Sequence, residues 1–195
     1  MLRTVSLAAL ILTLAVGGGA LSVYWALGAR EGVGAVAIGP WVSFPDLGTP
    51  GADPYSKARI ARQGLLSLGL AEGLTFAADR DSDGRALSRD CRYEIEGTFP
   101  PARFWTLYAA DASHRMLPPQ GLPRRPALNS LEALRRQDNS LSIAVARQAT
   151  PGNWLAVPGN GPMVLVLTLY DTPSASSAGI ADLALPAIRE IGCDA

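Results

Sequence analysis

The chain has 195 residues, of which 48% are hydrophobic and 17% are charged. This balance is typical of a globular protein rather than a disordered one. Seventeen basic and seventeen acidic residues cancel, so the net charge gives no reason to expect nucleic acid as a partner. No zinc-finger spacing, glycine-rich phosphate loop or repeat occurs, and we predict no cofactor and no metal.

The chain begins with an uncharged run over residues 5–27. As a helix, such a run is about 34 Å long, enough for a hydrocarbon core of about 30 Å. Arg3 precedes the run, which predicts an N-terminus in the cytoplasm. We therefore expect a transmembrane anchor over residues 1–30, in contact with membrane lipid, and a domain over residues 31–195 on the outer side of the cytoplasmic membrane, which in a bacterium is the periplasm. A signal peptide cleaved after Ala20 is the alternative.

Two cysteines, Cys91 and Cys193, lie in the exported part. Exported cysteines tend to pair, so we expect a disulfide between them, with two buried thiols as the alternative.

The first elements after the anchor are a strand and a helix. Residues 34–44 are apolar and β-branched, which predicts a strand broken at Gly39 and Pro40. Residues 54–63 are expected to be helical, because Asp53 is a favourable N-cap and proline suits the first helical position. Gly64 is expected to end the helix as its C′ residue.

Strands dominate the remainder. Residues 91–96 alternate cleanly, with Cys91, Tyr93 and Ile95 on one face. A short helix is predicted at 129–137, where Asn129 and Glu132 have capping-box spacing. The other expected elements are strands at 74–78, 103–110, 140–146 and 163–170, the last of them central, and a long loop at 111–127. Six to eight strands without regular βαβ alternation predict a mainly β fold, an antiparallel sandwich or jelly roll.

The stretch DRDSDGRALSRD, residues 79–90, has nearly the aspartate spacing of an EF-hand loop. An EF-hand requires flanking helices, whereas the flanking segments here have strand patterns. We interpret the stretch as a β-hairpin turn centred on Asp83 and Gly84, with no calcium site.

Several motifs in this order resemble the bacterial family known as domain of unknown function 1214: ADPYSKARIARQG (52–64), AEGLTF (71–76), DSDGRAL (81–87), CRYEIEG (91–97), PPARFWTLYAAD (100–111), GNWLAVP (152–158) and LVLTLYD (165–171). The resemblance covers about residues 36–193, in a short form with one membrane segment. It implies a jelly-roll-like β-sandwich, preceded here by the single membrane helix. It carries no established activity and no catalytic residue.

Two aromatic motifs are candidate binding surfaces. Arg103 and Trp105 share one face of a strand, where a tryptophan beside an arginine could stack on a sugar or an organic ring. The alternative is a core tryptophan with Arg103 extending to solvent. Asn153 and Trp154 form a similar pair, in which the asparagine holds a turn.

Three further polar residues, Asp53, Tyr55 and Arg59, are also candidate binding residues. The alternative is a structural one, in which they form clamps between loops and strands together with Asn129 and Asp171. The basic segment 115–147 could face anionic head groups or simply be solvated.

The sequence indicates no catalytic residue. His114 is the only histidine and is expected to be solvated, and no GxSxG nucleophile motif is present. Our first hypothesis is a non-catalytic binding or assembly module that contacts an envelope protein or polymer. The alternative is an envelope hydrolase acting on a glycan or ester with two carboxylates as acid and base.

Overall fold

The computed structural model describes residues 2–28, 32–63, 68–69, 71–119, 126–173, 180 and 183–193. These residues form two α-helices, one 3-10 helix and ten strands. The helices are α1 (Leu2–Gly28), the 3-10 helix Pro45–Gly48 and α2 (Pro54–Gln63). The strands are β1 (Val36–Ile38), β2 (Trp41–Ser43), β3 (Gly73–Ala78), β4 (Cys91–Gly97), β5 (Phe104–Ala110), β6 (Ala127–Asn129), β7 (Leu141–Ala146), β8 (Asn153–Ala156), β9 (Val164–Tyr170) and β10 (Ala187–Cys193).

Two sheets pack face to face. One has six strands in the order β1-β2-β3-β9-β5-β6, and the other has four in the order β10-β4-β7-β8. Side chains from both sheets form one buried core, including Phe76, Leu107 and Leu167 from the first and Ile95 and Ile143 from the second. The predicted mainly β fold with an N-terminal apolar helix is confirmed. The finer jelly-roll assignment stays an expectation from the resemblance.

The predicted central strand is confirmed. β9 lies between β3 and β5, and six of its seven residues are buried. Burying a large aliphatic side chain contributes about 1.5–3 kcal/mol, so β9 is a main source of stability. The broken strand at 34–44 is a hairpin of β1 and β2, in which Ile38 pairs with Trp41 and Gly39 has φ +57°.

The ten strands exceed the six to eight predicted, because strands of three or four residues give little periodic signal. The second sheet is also not purely antiparallel, since β8 runs parallel to β7. Residues 147–152 carry the chain back along β7, so that Ile143 lies opposite Asn153. The proposed cap residue Gly64 lies outside the described residues.

The predicted helix at 129–137 is wrong. β6 ends at Asn129, whose Oδ1 accepts the Leu131 N–H at 2.9 Å, and only a single turn follows. The Leu134 N–H then donates to Asn153 Oδ1 at 2.7 Å. Asn129 thus begins a turn, as a helix cap would. The Leu134 N–H then bonds to the distant Asn153 instead of continuing a helix.

The predicted hairpin at 79–90 also needs correction. A turn is present, because Arg80 and Ala86 form an antiparallel bridge and Gly84 has φ +86°. However, β3 and β4 belong to different sheets, so the loop crosses from one sheet to the other. Ser82 joins this loop to β10 through two hydrogen bonds with the backbone of Ile188, at 2.8 and 2.9 Å.

Candidate functional site

The outer face of the six-stranded sheet, turned away from the core, forms the floor of an open trough with a volume of about 1040 Å³. Its floor comes from β3, β5 and β9, and its walls come from α1, α2, the segment before α2 and the turn after β5. Its described lining residues include Leu27, Gly28, Phe44, Arg59, Arg62, Thr75, Asp79, Tyr108, His114, Arg115, Thr168 and Tyr170.

One wall of the trough is built from the 3-10 helix and α2. Asp53 begins α2, because its Oδ1 accepts the N–H groups of Tyr55 at 2.8 Å and Ser56 at 3.1 Å. The Ser56 side chain and these backbone bonds lower the pKa of Asp53. Six residues later, the Arg59 guanidinium lies 4.5 Å from the centre of the Phe44 ring, a cation–π distance. The N-cap prediction for Asp53 is confirmed, and Tyr55 lies outside the trough with 41% exposure.

The opposite wall is a tight turn that carries the single histidine. Asp111 Oδ1 accepts the N–H groups of Ser113 at 2.8 Å and Arg115 at 3.1 Å. His114 has φ +59°, a conformation uncommon outside glycine. The side chain is half-buried rather than solvated, and burial lowers its pKa. The imidazole is therefore neutral at pH 7.

Two phenols stand on the floor. Tyr108 and Tyr170 both line the trough, and the Tyr170 ring lies 5.8 Å from that of Phe104. Burial raises the pKa of Tyr108, and Tyr170 raises it further. The Tyr108 hydroxyl is therefore protonated at neutral pH and is a hydrogen-bond donor. The sequence did not single out these tyrosines, although strand alternation placed Tyr108 on the face opposite Trp105.

The end of α1 forms one edge of the trough. Leu27 and Gly28 line it, and the Arg62 guanidinium of α2 lies 5.2 Å from the centre of the Tyr24 ring. The trough therefore adjoins the last turn of the apolar helix.

Trp105 lies in the sandwich core and is only 1% exposed. It stacks on Phe99 with ring centroids 4.7 Å apart, so its ring is not available to an external ligand. Arg103 extends to solvent at the strand end and pairs with Asp171 at 3.6 Å. For this pair the structure matches the alternative of a core tryptophan, because inward and outward positions alternate along β5.

Asn153 and Trp154 hold the backbone around β8. The Asn153 amide donates to the carbonyls of Leu134 at 2.8 Å and Ser142 at 3.0 Å, besides accepting from Leu134. The half-buried Trp154 indole donates to the Ala146 carbonyl at 2.9 Å. Both side chains thus hydrogen-bond β8, the edge strand of the four-stranded sheet, to the neighbouring backbone.

The outer face of that sheet has a shallower groove of about 500 Å³ with Arg92, Glu94, Leu134 and Asn153 among its lining residues. Among the described lining residues, Glu94 is the one acidic residue of this groove, and Asp79 is the one acidic residue of the trough. The described part of the chain therefore brings no two carboxylates together in either cavity.

The aspartates of residues 79–90 have protein partners. Asp81 is buried, and its Oδ1 accepts the Asp83 and Arg85 N–H groups. Asp90 accepts from Gly161 N–H at 3.0 Å and Ser88 Oγ at 2.9 Å. Among the residues described, one cluster has metal-ligand spacing: Cys91, Cys193 and Glu190. Both of its sulfur atoms belong to a cysteine pair at disulfide distance, 2.01 Å apart.

The described arginines of the basic segment 115–147 have partners in different parts of the fold. Arg136 pairs with Glu96 at 2.6 Å, and Arg147 bonds the Gly159 carbonyl at 2.7 Å. Two of its arginines, Arg124 and Arg125, lie outside the described residues.

Solved structures similar to this chain include two proteins, one from Vibrio parahaemolyticus and one from Burkholderia cenocepacia. The VPA0106 protein from Vibrio parahaemolyticus matches with a TM-score of 0.57 and 20% identity, over 72% of this chain and 36% of its own. An uncharacterised protein from Burkholderia cenocepacia matches with a TM-score of 0.47 and 16% identity, over 62% of this chain and 30% of its own. The chain thus spans about a third of each solved protein. The first likeness supports the β fold and no more.

No curated protein matches the chain. A family model does match, over residues 72–174, which is more than half of the chain and contains most of the motifs noted above. The chain therefore belongs to the family described as "Protein of unknown function (DUF1214)".

Proposed function

We propose that the protein is a single-pass cell-envelope protein whose β-sandwich lies in the periplasm and binds an envelope component in the trough. The anchor is supported by α1, which is long and apolar enough to cross a membrane, with a mean hydropathy of 2.0. The cysteine pair at disulfide distance is typical of an oxidising compartment.

The trough is the observation that carries the binding role. Its volume reaches the upper end of the range of about 300–1,000 Å³ usual for ligand sites. Its lining combines cations, phenols and apolar side chains, so a ligand would find both charge and apolar contact there. A concave site of this kind is better suited to bind an organic ligand than to bind the flat surface of another protein.

The hydrolase alternative receives less support. Acid–base hydrolysis of a glycan requires two carboxylates on either side of the scissile bond. Within the part of the chain that the structure describes, each of the two cavities is lined by a single carboxylate. Those residues therefore support binding more than hydrolysis.

Photo-crosslinking in intact cells tests the binding role. Tyr108→p-benzoylphenylalanine places a photoreactive ring in the trough, and the same substitution at the exposed Tyr55 is the matched control. We expect ultraviolet light to give a covalent product with Tyr108 that Tyr55 does not give, identified by mass spectrometry as a small-molecule, lipid, glycan or protein adduct. Identical products at both positions, or none at Tyr108, would contradict the proposal.

A further inference from the structure

We propose that the trough binds the phosphate-bearing head group of an anionic membrane phospholipid, which α1 places within reach. This proposal rests on the binding function above and names the class of its ligand. Three features of the described residues lead to it: the position of the trough beside α1, its charge and its hydroxyl groups.

The position follows from the length of α1. The apolar span Arg3–Gly28 has 26 residues, about 39 Å of helix at 1.5 Å per residue, whereas the hydrocarbon core is about 30 Å thick. The last turn therefore extends into the head-group layer. Tyr24 and Trp25 lie there, where an aromatic belt is expected. Because Leu27 and Gly28 also line the trough, its edge lies at the height of the lipid head groups.

The charge of the trough favours an anion. Among the described residues that line it, Arg59, Arg62 and Arg115 are basic and Asp79 is acidic. Arg115 also pairs with Asp111 at 3.4 Å, and two of the three arginines belong to α2. Arginine suits phosphate, because its planar guanidinium donates two parallel hydrogen bonds.

The hydroxyl groups supply further donors. Tyr108 lines the trough, and its hydroxyl carries its proton at neutral pH, since burial raises its pKa. Thr75 and Thr168 also line the trough, and their hydroxyl oxygens are 3.3 Å apart. A phosphate oxygen at the floor would meet phenol and threonine donors while the arginines of α2 approach from the wall.

A lipid explains the apolar lining better than a free phosphate does. Leu27 and Phe44 flank the cationic wall, and they would contact the glycerol and first methylene groups of a lipid. A soluble phosphate would leave these surfaces in water. Apolar contact therefore distinguishes a phospholipid from a soluble phosphate as the source of the anionic group.

The test uses the full chain in nanodiscs of phosphatidylcholine, titrated with short-chain lipids below their micellar concentration. The melting temperature is followed by tryptophan fluorescence, because a ligand that binds only the folded state raises it. Dihexanoylphosphatidylglycerol is the probe, dihexanoylphosphatidylcholine tests apolar binding alone, and glycerol 3-phosphate tests the soluble anion. We expect the phosphatidylglycerol to raise the melting temperature and the other two compounds to have a much smaller effect.

The variants locate the site. Arg59→Gln is expected to raise the apparent dissociation constant for the phosphatidylglycerol, obtained from the titration, about tenfold. This is the size expected for one lost charge-assisted hydrogen bond. Tyr108→Phe keeps the ring and is expected to weaken binding less, so it also serves if Arg59→Gln folds poorly. Arg135→Gln is the matched control, since Arg135 is exposed and lines the other cavity, and its response should equal that of the wild type.

Four results would overturn the lipid proposal: no shift with phosphatidylglycerol, an equal shift with phosphatidylcholine, an equal shift with glycerol 3-phosphate, or an equal loss in Arg135→Gln. A trough-specific crosslink to a glycan or protein, together with any of these, would reject the lipid and retain the binding function. If Tyr108 gives no specific crosslink at all, the binding function itself fails.

Discussion

Asn153 shows how one buried amide can organise two distant segments. It is 9% exposed and makes three hydrogen bonds, two to the backbone of Leu134 and one to that of Ser142. Through them it ends the turn after β6, sets the start of β8 and lies beside β7. A side chain with both donors and an acceptor is required at this position.

Asn153→Ala should therefore destabilise the fold by about 2 kcal/mol, because it leaves buried backbone groups without partners. Equilibrium denaturation of the full chain in detergent, followed by tryptophan fluorescence, measures the loss. Asn160→Ala is the control, since Asn160 is exposed and surface substitutions usually change stability by less than about 0.5 kcal/mol. Equal effects of the two substitutions would show that the Asn153 contacts contribute nothing specific.

At the scale of elements, β10 joins the last described residues to the core. It is an edge strand paired only with β4, and Cys193 lies opposite Cys91 in that register. Its Ile188 side chain is fully buried, and the indole N–H of Trp41 donates to the Pro186 carbonyl just before it at 2.8 Å. The cysteine pair therefore links β10 to β4, and β10 also contributes a side chain to the core.

Cys91→Ser with Cys193→Ser should lower stability by about 2–4 kcal/mol. The cysteines are 102 residues apart, and the chain-entropy model gives about 4.7 kcal/mol for a loop of that length, with measured values often lower. Denaturation with and without reductant should show the wild type falling to the level of the double variant. Alkylation of two thiols in unreduced protein taken from cells would contradict the pairing.

At the scale of the whole molecule, α1 has the composition of a membrane helix. None of its most apolar window is buried against the rest of the protein. Its hydroxyl groups are satisfied within the helix, for example Thr13 by the Ala9 carbonyl at 2.8 Å and Ser22 by the Gly19 carbonyl at 2.8 Å. Internal satisfaction of polar groups is what hydrocarbon requires.

If α1 is an uncleaved anchor, this 195-residue chain, expressed in bacteria and isolated from membranes, should keep its intact mass of 20.4 kDa. It should stay with the membrane pellet after alkaline carbonate extraction and dissolve only with detergent. Mass spectrometry decides between the two hypotheses, because cleavage after Ala20 would remove the first twenty residues and release a soluble domain.

The elements that depend on a local sequence pattern could be predicted without the structure. Uncharged length predicts α1, period-two alternation predicts β4 and β5, continuous apolar residues predict the central β9, and Asp53 before a proline predicts the start of α2. These signals are local because propensity, capping and side-chain alternation act within one element. The family was also recognisable, because its motifs occur in a fixed order.

Which elements meet became known from the folded structure. In the structure, β3 and β4 lie in different sheets, and Trp105 lies in the core. The turn after Asn129 does not continue as a helix, because Leu134 bonds to the Asn153 amide 19 residues away. The folded structure also assembled the trough from α1, α2, the turn that carries His114, and the outer faces of β5 and β9. Each of these outcomes depends on contacts between residues far apart in sequence, whose free energy outweighs the local preference and leaves no periodic trace in the chain.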